Sequence, residues 1–243
     1  MQRLWPDPAA DPLTDDDLVE LYTADKPTWL RVNFAASLDG ATELGGFSEG
    51  LSSPADKRIF GMLRMLSDAL VVGAGTVRKE SYRAVRLSPE RREWRLAHGR
   101  PEYPTLVVVS GNLALDPAHP ALADAPTRPA VCTHAGAPAE ARERLADVAD
   151  ILVHGDGVVD LASAVAELRE RGHHQLLSEG GPHLFGALTA ADLVDELCLT
   201  VAPILTGPGA GRITAGFVAT QPRRLQLRHI LAGDGQLMLR HTR

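Results

Sequence analysis

Cysteine is nearly missing from the chain, with two residues, Cys132 and Cys198, among 243. Two thiols build neither a disulfide framework nor a cysteine-rich zinc site, and each lies in an apolar run where a small buried hydrophobe is expected. No metal site is anticipated. Long hydrophobic runs are absent too, since none approaches the ~18–20 residues that span a bilayer. The opening Met1-Gln2-Arg3-Leu4-Trp5-Pro6 lacks the basic-then-apolar order of a signal peptide, so a cytoplasmic protein without a membrane partner is expected. Neither sign of charge is gathered into a block. Twenty-five basic and 31 acidic residues give a net charge of −6, which leaves no electrostatic footprint for a nucleic-acid backbone. Glycine (22) and proline (17) stay far below the roughly 25–30% combined share of low-complexity sequence, and no internal repeat is visible.

What is present is an ordinary core composition, 44% hydrophobic against 23% charged. Residues 1–28 read as an N-terminal arm with a short helix capped by Thr14 and ending near Tyr22, and residues 29–243 read as a single domain. Compact apolar runs at 30–36, 69–72, 105–110, 130–133, 151–153, 175–177 and 196–201 alternate with amphipathic stretches. That rhythm predicts an α/β fold with a mostly parallel central sheet and helices on both faces. Two apolar runs around Gly233-Asp234-Gly235 predict an antiparallel C-terminal hairpin at the sheet edge. Ser53-Pro54 and Asp160 mark helix starts, and Gly172 marks a stop. The arginine-rich segment 79–100 reads as a solvated loop with one helical turn, its part nearest Thr76 offering guanidinium groups to a phosphate.

Two motifs bear on chemistry. Val71-Val72-Gly73-Ala74-Gly75-Thr76 puts two glycines after a strand but departs from the dinucleotide fingerprint at its third glycine, because residue 78 is Arg. Ser178-Glu179-Gly180-Gly181-Pro182-His183-Leu184 runs a strand into two glycines and a proline-started helix, a ready anion site for a cofactor pyrophosphate. Glu179 at the strand's carboxyl end is either a ligand contact or a helix-start acid. Asn33 and Asp39 flank the end of the first strand, and Asp39 before Gly40 is equally a turn signal. The residues alone reach a nucleotide-using α/β enzyme.

The stretches Asn33-Phe34-Ala35-Ala36-Ser37-Leu38-Asp39-Gly40, Asp68 through Thr76, Ser178-Glu179-Gly180-Gly181-Pro182, and Asp195-Glu196-Leu197 with Ala202-Pro203-Ile204-Leu205 occur in order at compatible spacing. This constellation resembles the riboflavin-biosynthesis reductase family, whose fold is dihydrofolate-reductase-like. The resemblance implies a stand-alone, NADPH-dependent reductase that turns the ribosylamino side chain of a pyrimidinedione 5′-phosphate into a ribitylamino chain, with hydride delivered to an imine at C1′. It implies that Gly73, Gly75, Thr76 and Ser110 line the cofactor and that Gly180, Gly181, Pro182, His183 and Leu184 hold its phosphates. Glu179, Asp39 and Asn33 become the candidate catalytic residues, and Ser48, Arg64 and Arg86 the substrate contacts, the two arginines holding its phosphate. A homodimer is expected, with the apolar runs 225–231 and 237–239 burying an edge. Bifunctional relatives add a zinc deaminase with a histidine-x-glutamate and a Pro-Cys-x-x-Cys pair; this chain has neither, so only the reductase half is implied. Bacterial reductase domains tend to carry lysine where Asn33 stands, unlike stand-alone types. Reduction of another heterocycle, such as a dihydrofolate-like pterin, and non-catalytic NADPH binding are the alternatives.

Overall fold

The computed structural model describes residues 1–216 and 221–243. The strands are β1 (Gln2–Trp5), β2 (Trp29–Ser37), β3 (Ala69–Gly73), β4 (Thr105–Val109), β5 (Ala130–Thr133), β6 (Asp150–Val153), β7 (Gln175–Ser178), β8 (Glu196–Ala202), β9 (Gln226–Gly233) and β10 (Gln236–Thr242). The helices are α1 (Asp15–Tyr22), α2 (Pro54–Leu66), α3 (Ala74–Lys79), α4 (Pro89–Ala97), α5 (Pro120–Ala123), α6 (Ala139–Ala146), α7 (Leu161–Glu170) and α8 (Pro182–Ala190). All described strands join one sheet in the order β1-β9-β10-β8-β2-β7-β3-β4-β5-β6. From β8 to β6 every pairing is parallel, while β10 meets β8, and β9 meets β10, antiparallel.

Strand alternation explains the layers. Leu70 and Val72 of β3 face a cluster that includes Leu18 and Tyr22 of α1, Ile59, Met62 and Leu63 of α2, and Leu145 of α6. Ala69 and Val71, one residue out of phase, face Leu161, Val165 and Leu168 of α7 with Phe185 and Leu188 of α8. Helices on both faces are therefore as the strand composition predicts. Both thiols are buried in these layers, and burial pushes Cys132 up to about 12.

Three features differ from the expectations. Gln2–Trp5 is a strand, pairing antiparallel with β9 from Gln2↔Ala232 to Trp5↔Ile230, so the C-terminal hairpin lies one strand inside the edge. The outer side of β9 is thus occupied where an intermolecular edge was expected. The third is α4, nine residues long where one turn was anticipated. Its Arg95 is fully buried, donating to the carbonyls of Met65 (2.7 Å), Ser67 (2.5 Å) and Pro101 (2.7 Å) at the end of α2 and beyond. Those three carbonyls meet Nε and Nη1 of a guanidinium that composition alone assigns to solvent, and burial lowers its pKa to about 10. The Arg91 guanidinium of α4 lies against α2 at Gly61, where a Cβ would come within 1.7 Å of its Nη1.

At the amino ends of the central strands lies a buried ionic cluster. Glu196 accepts from Arg31 Nε (2.5 Å), Arg240 Nη2 (2.9 Å) and Trp29 Nε1 (2.8 Å). The same arginines donate to the carbonyls of Leu21, Tyr22 and Thr23, at the end of α1. Two cations against one carboxylate are balanced by the negative end of that helix, which docks α1 onto the sheet.

Candidate active site

A crevice of about 790 Å³ opens at the carboxyl ends of β2, β3 and β7, the place where open α/β sheets take ligands. Its floor carries Asn33 and Phe34 of β2, Gly73 of β3 and Glu179 after β7; one wall is α2 and the opposite wall is the starts of α3 and α8.

The glycines divide by what surrounds them. A Cβ on Gly180 (φ +85°) would meet Phe34 Cζ at 2.7 Å, and one on Gly181 would meet Thr76 Oγ1 at 2.7 Å, so both are imposed by close packing of the two motifs. Gly73 N–H donates to the Gly180 carbonyl at 2.8 Å and ties the motifs together. A Cβ on Gly75 would meet nothing within 4 Å, so this glycine leaves bare backbone toward the crevice. The start of α8 has no side-chain cap, and the N–H groups of His183 and Leu184 make no hydrogen bond among the described residues. Unpaired donors beside bare backbone suit the phosphates of a dinucleotide.

Glu179 is held by Arg64, whose Nε and Nη2 donate to its two oxygens at 2.6 and 2.7 Å. The Tyr82 hydroxyl donates to Oε2 at 2.5 Å, and the guanidinium lies 4.2 Å from the centre of the Phe60 ring. Burial works against the Arg64 charge, but Glu179 outweighs it and raises its pKa. Burial, then the Glu179 charge, push Tyr82 well up, so its proton stays on the hydroxyl. Arg64 Nη1 makes no hydrogen bond among the described residues, leaving that nitrogen for a ligand. Ser48 is on the rim, its N–H and hydroxyl donating to Glu80 at 3.1 and 2.9 Å.

The crevice brings together Asn33, Ser48, Arg64, Gly73, Gly75 and Thr76 with Glu179 and the 181–184 segment. Four expected residues lie elsewhere. Asp39 closes a loop, accepting from the Ser37 hydroxyl and from the N–H groups of Thr206 (3.0 Å) and Gly207 (2.8 Å), which hold its pKa at about 2. It is the turn residue that Asp-Gly signals. Ser110 is buried and accepts from Leu113 N–H at 3.0 Å, capping the turn after β4. Gly180 shapes the floor from beneath. Arg86 is exposed, donates to the Asp124 carbonyl at 2.9 Å and is not among the residues that line the crevice with Arg64. Tyr82, Phe60 and Asp56 are crevice residues that sequence reasoning missed. Tyr82 was hidden in the segment read as a loop, and Asp56 in a first helical turn where acids are commonplace.

A polar crevice at the carboxyl ends of parallel strands, closed by a glycine turn and an uncapped helix start, is of the kind in which α/β enzymes take a nucleotide. Residues 28–239 match the RibD C-terminal domain, and the chain belongs to that family. The 2,5-diamino-6-ribosylamino-4(3H)-pyrimidinone 5′-phosphate reductase of Archaeoglobus fulgidus is 34% identical over 180 residues, covering 74% of this chain and 82% of the archaeal one. The riboflavin biosynthesis protein RibD of Escherichia coli is 28% identical over 187 residues, 75% of this chain and 50% of that protein. A pyrimidine reductase-like protein from Corynebacterium diphtheriae superposes with a TM-score of 0.83 at 26% identity, covering 95% of this chain and 98% of that one. No helix among the described residues is long and apolar enough to cross a membrane.

Proposed function

We propose that this chain reduces the ribosylamino side chain of a pyrimidine 5′-phosphate with NADPH, acting in the cytoplasm. The observation that carries this reading is the pairing, in one crevice, of an uncovered phosphate-binding backbone at Gly75 and 182–184 with a polar wall at Asn33, Arg64 and Glu179. NADPH, when bound, supplies the hydride. The chain's part is to hold both reactants and exclude water. Gly73, Gly75 and Thr76 and the start of α8 hold the cofactor. Glu179, fixed by Arg64 and Tyr82, presents a rigid carboxylate edge to the ribose or ring, and Arg64 Nη1 offers charge to the substrate phosphate.

Preference for NADPH over NADH is supported by basic side chains around the end of β4. Arg78 donates to the Ala114 carbonyl at 2.9 Å, and a Cβ on Gly111 would lie 3.5 Å from His134 Nε2. A homodimer remains part of the proposal, and a single 26.0 kDa species in sedimentation overturns it. The deciding experiment is NADPH oxidation with the ribosylamino-pyrimidine phosphate beside dihydrofolate, with NADH as the control cofactor. Turnover of the pyrimidine and not the pterin, with NADPH the better donor, is expected; turnover of dihydrofolate alone sinks the reading.

A further inference from the structure

A second cavity, of about 150 Å³, lies at the amino ends of β2 and β7 and shares no lining residue with the crevice. Tyr22, Trp29, Ser67 and Leu176 of its wall are buried, and Arg31 is 4% exposed. The Arg31 backbone is paired on both sides, with Leu177 and Glu196, so what it offers this space is its guanidinium. Nε and Nη2 are committed to Glu196 and the Tyr22 carbonyl. Nη1 meets no acceptor among the described residues and is not sealed in. Arg100, also on the wall, spends Nη1 on Asp68 at 2.6 Å, while its Nε and Nη2 donate to nothing among the described residues. Two arginines thus bring uncommitted donors to one small space.

Nothing on the protein's side meets them. No acidic residue lines the cavity among the described residues, and the second oxygen of Asp68 is taken by the N–H groups of His174 (2.9 Å) and Gln175 (2.8 Å). The carbonyls at the end of α1 already serve Arg31 and Arg240. Arg95 adds a further cation behind the wall, since its acceptor Ser67 lines the cavity and all three of its partners are carbonyls. Burial, then the Arg100 charge, lower its pKa. Burial works against the Arg31 charge too, but Glu196 outweighs it and keeps that group ionised. A buried guanidinium with a spare donor is costly unless an acceptor meets it. Water would fill the donors and leave the charge. A compact anion answers both, and the volume admits such an ion while excluding a nucleotide. We infer that this cavity binds a small tetrahedral oxyanion, phosphate or sulfate, between Arg31 Nη1 and Arg100. The ion ties the start of β2 to the segment after α4, so it adds to stability by mass action and leaves the chemistry of the crevice alone.

The test locates the ion first. Crystals of the full chain grown without phosphate or sulfate are soaked in selenate at about 10 mM, a concentration that fills a millimolar site. An anomalous peak within hydrogen-bond distance of Arg31 Nη1 and an Arg100 nitrogen is expected; ordered water in its place overturns the inference. Calorimetric titrations with phosphate and with sulfate, each against chloride at matched ionic strength, then compare the wild type with Arg100→Gln and Arg64→Ala. Affinity should fall about tenfold or more in Arg100→Gln, the value of a charge-assisted hydrogen bond, and stay within about threefold in Arg64→Ala. The separate arms distinguish the two ions, and binding of either that is weakened in this way sustains the site. Binding lost in Arg64→Ala and kept in Arg100→Gln places the ion in the crevice and overturns the inference, as does the absence of binding to both ions. Arg100→Gln also breaks the pair with Asp68, so thermal melting checks that it folds, and if it does not the selenate map decides alone.

Discussion

Two glutamates, each gripped by arginine, lie at opposite ends of the same parallel strands. Glu196 begins β8 and is 0% exposed, and its partners Arg31 and Arg240 are 4% exposed and also bind the carbonyl end of α1. Glu179 follows β7, and its partner Arg64 keeps 19% of its side chain exposed and one nitrogen uncommitted toward the crevice. The chemistry of the two clusters is alike, and their surroundings separate them. The first turns further arginine donors to the protein's own backbone and acts on folding. The second keeps a donor for something outside the chain and acts on binding.

Glu196→Gln should break the comparison most sharply. Removing one partner of a buried ionic cluster costs about 3–5 kcal/mol, read as a lowered urea midpoint, while activity per folded molecule stays near that of the wild type. Loss of activity without loss of stability would reverse the two assignments. The same cluster sets a pH dependence. Burial raises the Glu196 pKa, but Arg31 and then Arg240 outweigh it and bring the value from 4.5 to about 2. The unfolded chain then binds that proton more readily, so the contribution is present above about pH 4.5 and is lost as pH falls toward 2. Urea titrations between neutral pH and pH 3 should show this loss, and Glu196→Gln should flatten it.

At the crevice cluster, Glu179→Gln should lower kcat/KM by about tenfold to a hundredfold, corresponding to ~1.5–3 kcal/mol, and leave the NADPH dissociation constant nearly unchanged. A loss confined to cofactor affinity would move Glu179 to the other wall. Arg64→Ala should raise KM for the phosphorylated substrate by about tenfold and have less effect on a dephosphorylated one. Arg86→Ala should do least, within about 0.5 kcal/mol on either constant, as for a surface residue; a KM effect equal to that of Arg64→Ala would bring Arg86 back into the site.

The parallel sheet was legible because Ala69-Leu70-Val71-Val72 and its counterparts are buried on both faces and so run apolar without alternation. Helix starts were legible at Ser53-Pro54 and Asp160, where the capping groups are local. The Gly73-Gly75 and Gly180-Gly181 motifs showed where the crevice would be. What escaped depends on partners far along the chain. Gln2–Trp5 carries no strand pattern, and its partners lie beyond residue 229. Arg95 is buried by carbonyls of Met65 and Ser67, about one helix earlier. The Arg64–Glu179 pair closes over 115 residues, and Asp56 meets Thr200 over 144. Spacing rules see neighbours on one element, and these contacts are made only once the sheet order is fixed.

That order also has a consequence for biosynthesis. Gln2 pairs with Ala232, so at ~5–20 residues per second this strand waits roughly 12–46 s between its own synthesis and that of its partner. Until then the nascent chain carries the unpaired segment through the assembly of β2 to β8, and β9 must emerge before it has an edge to join. The outer rim of the sheet is therefore finished by some of its oldest residues, and a ribosome that stalls before β9 leaves them with nothing to close.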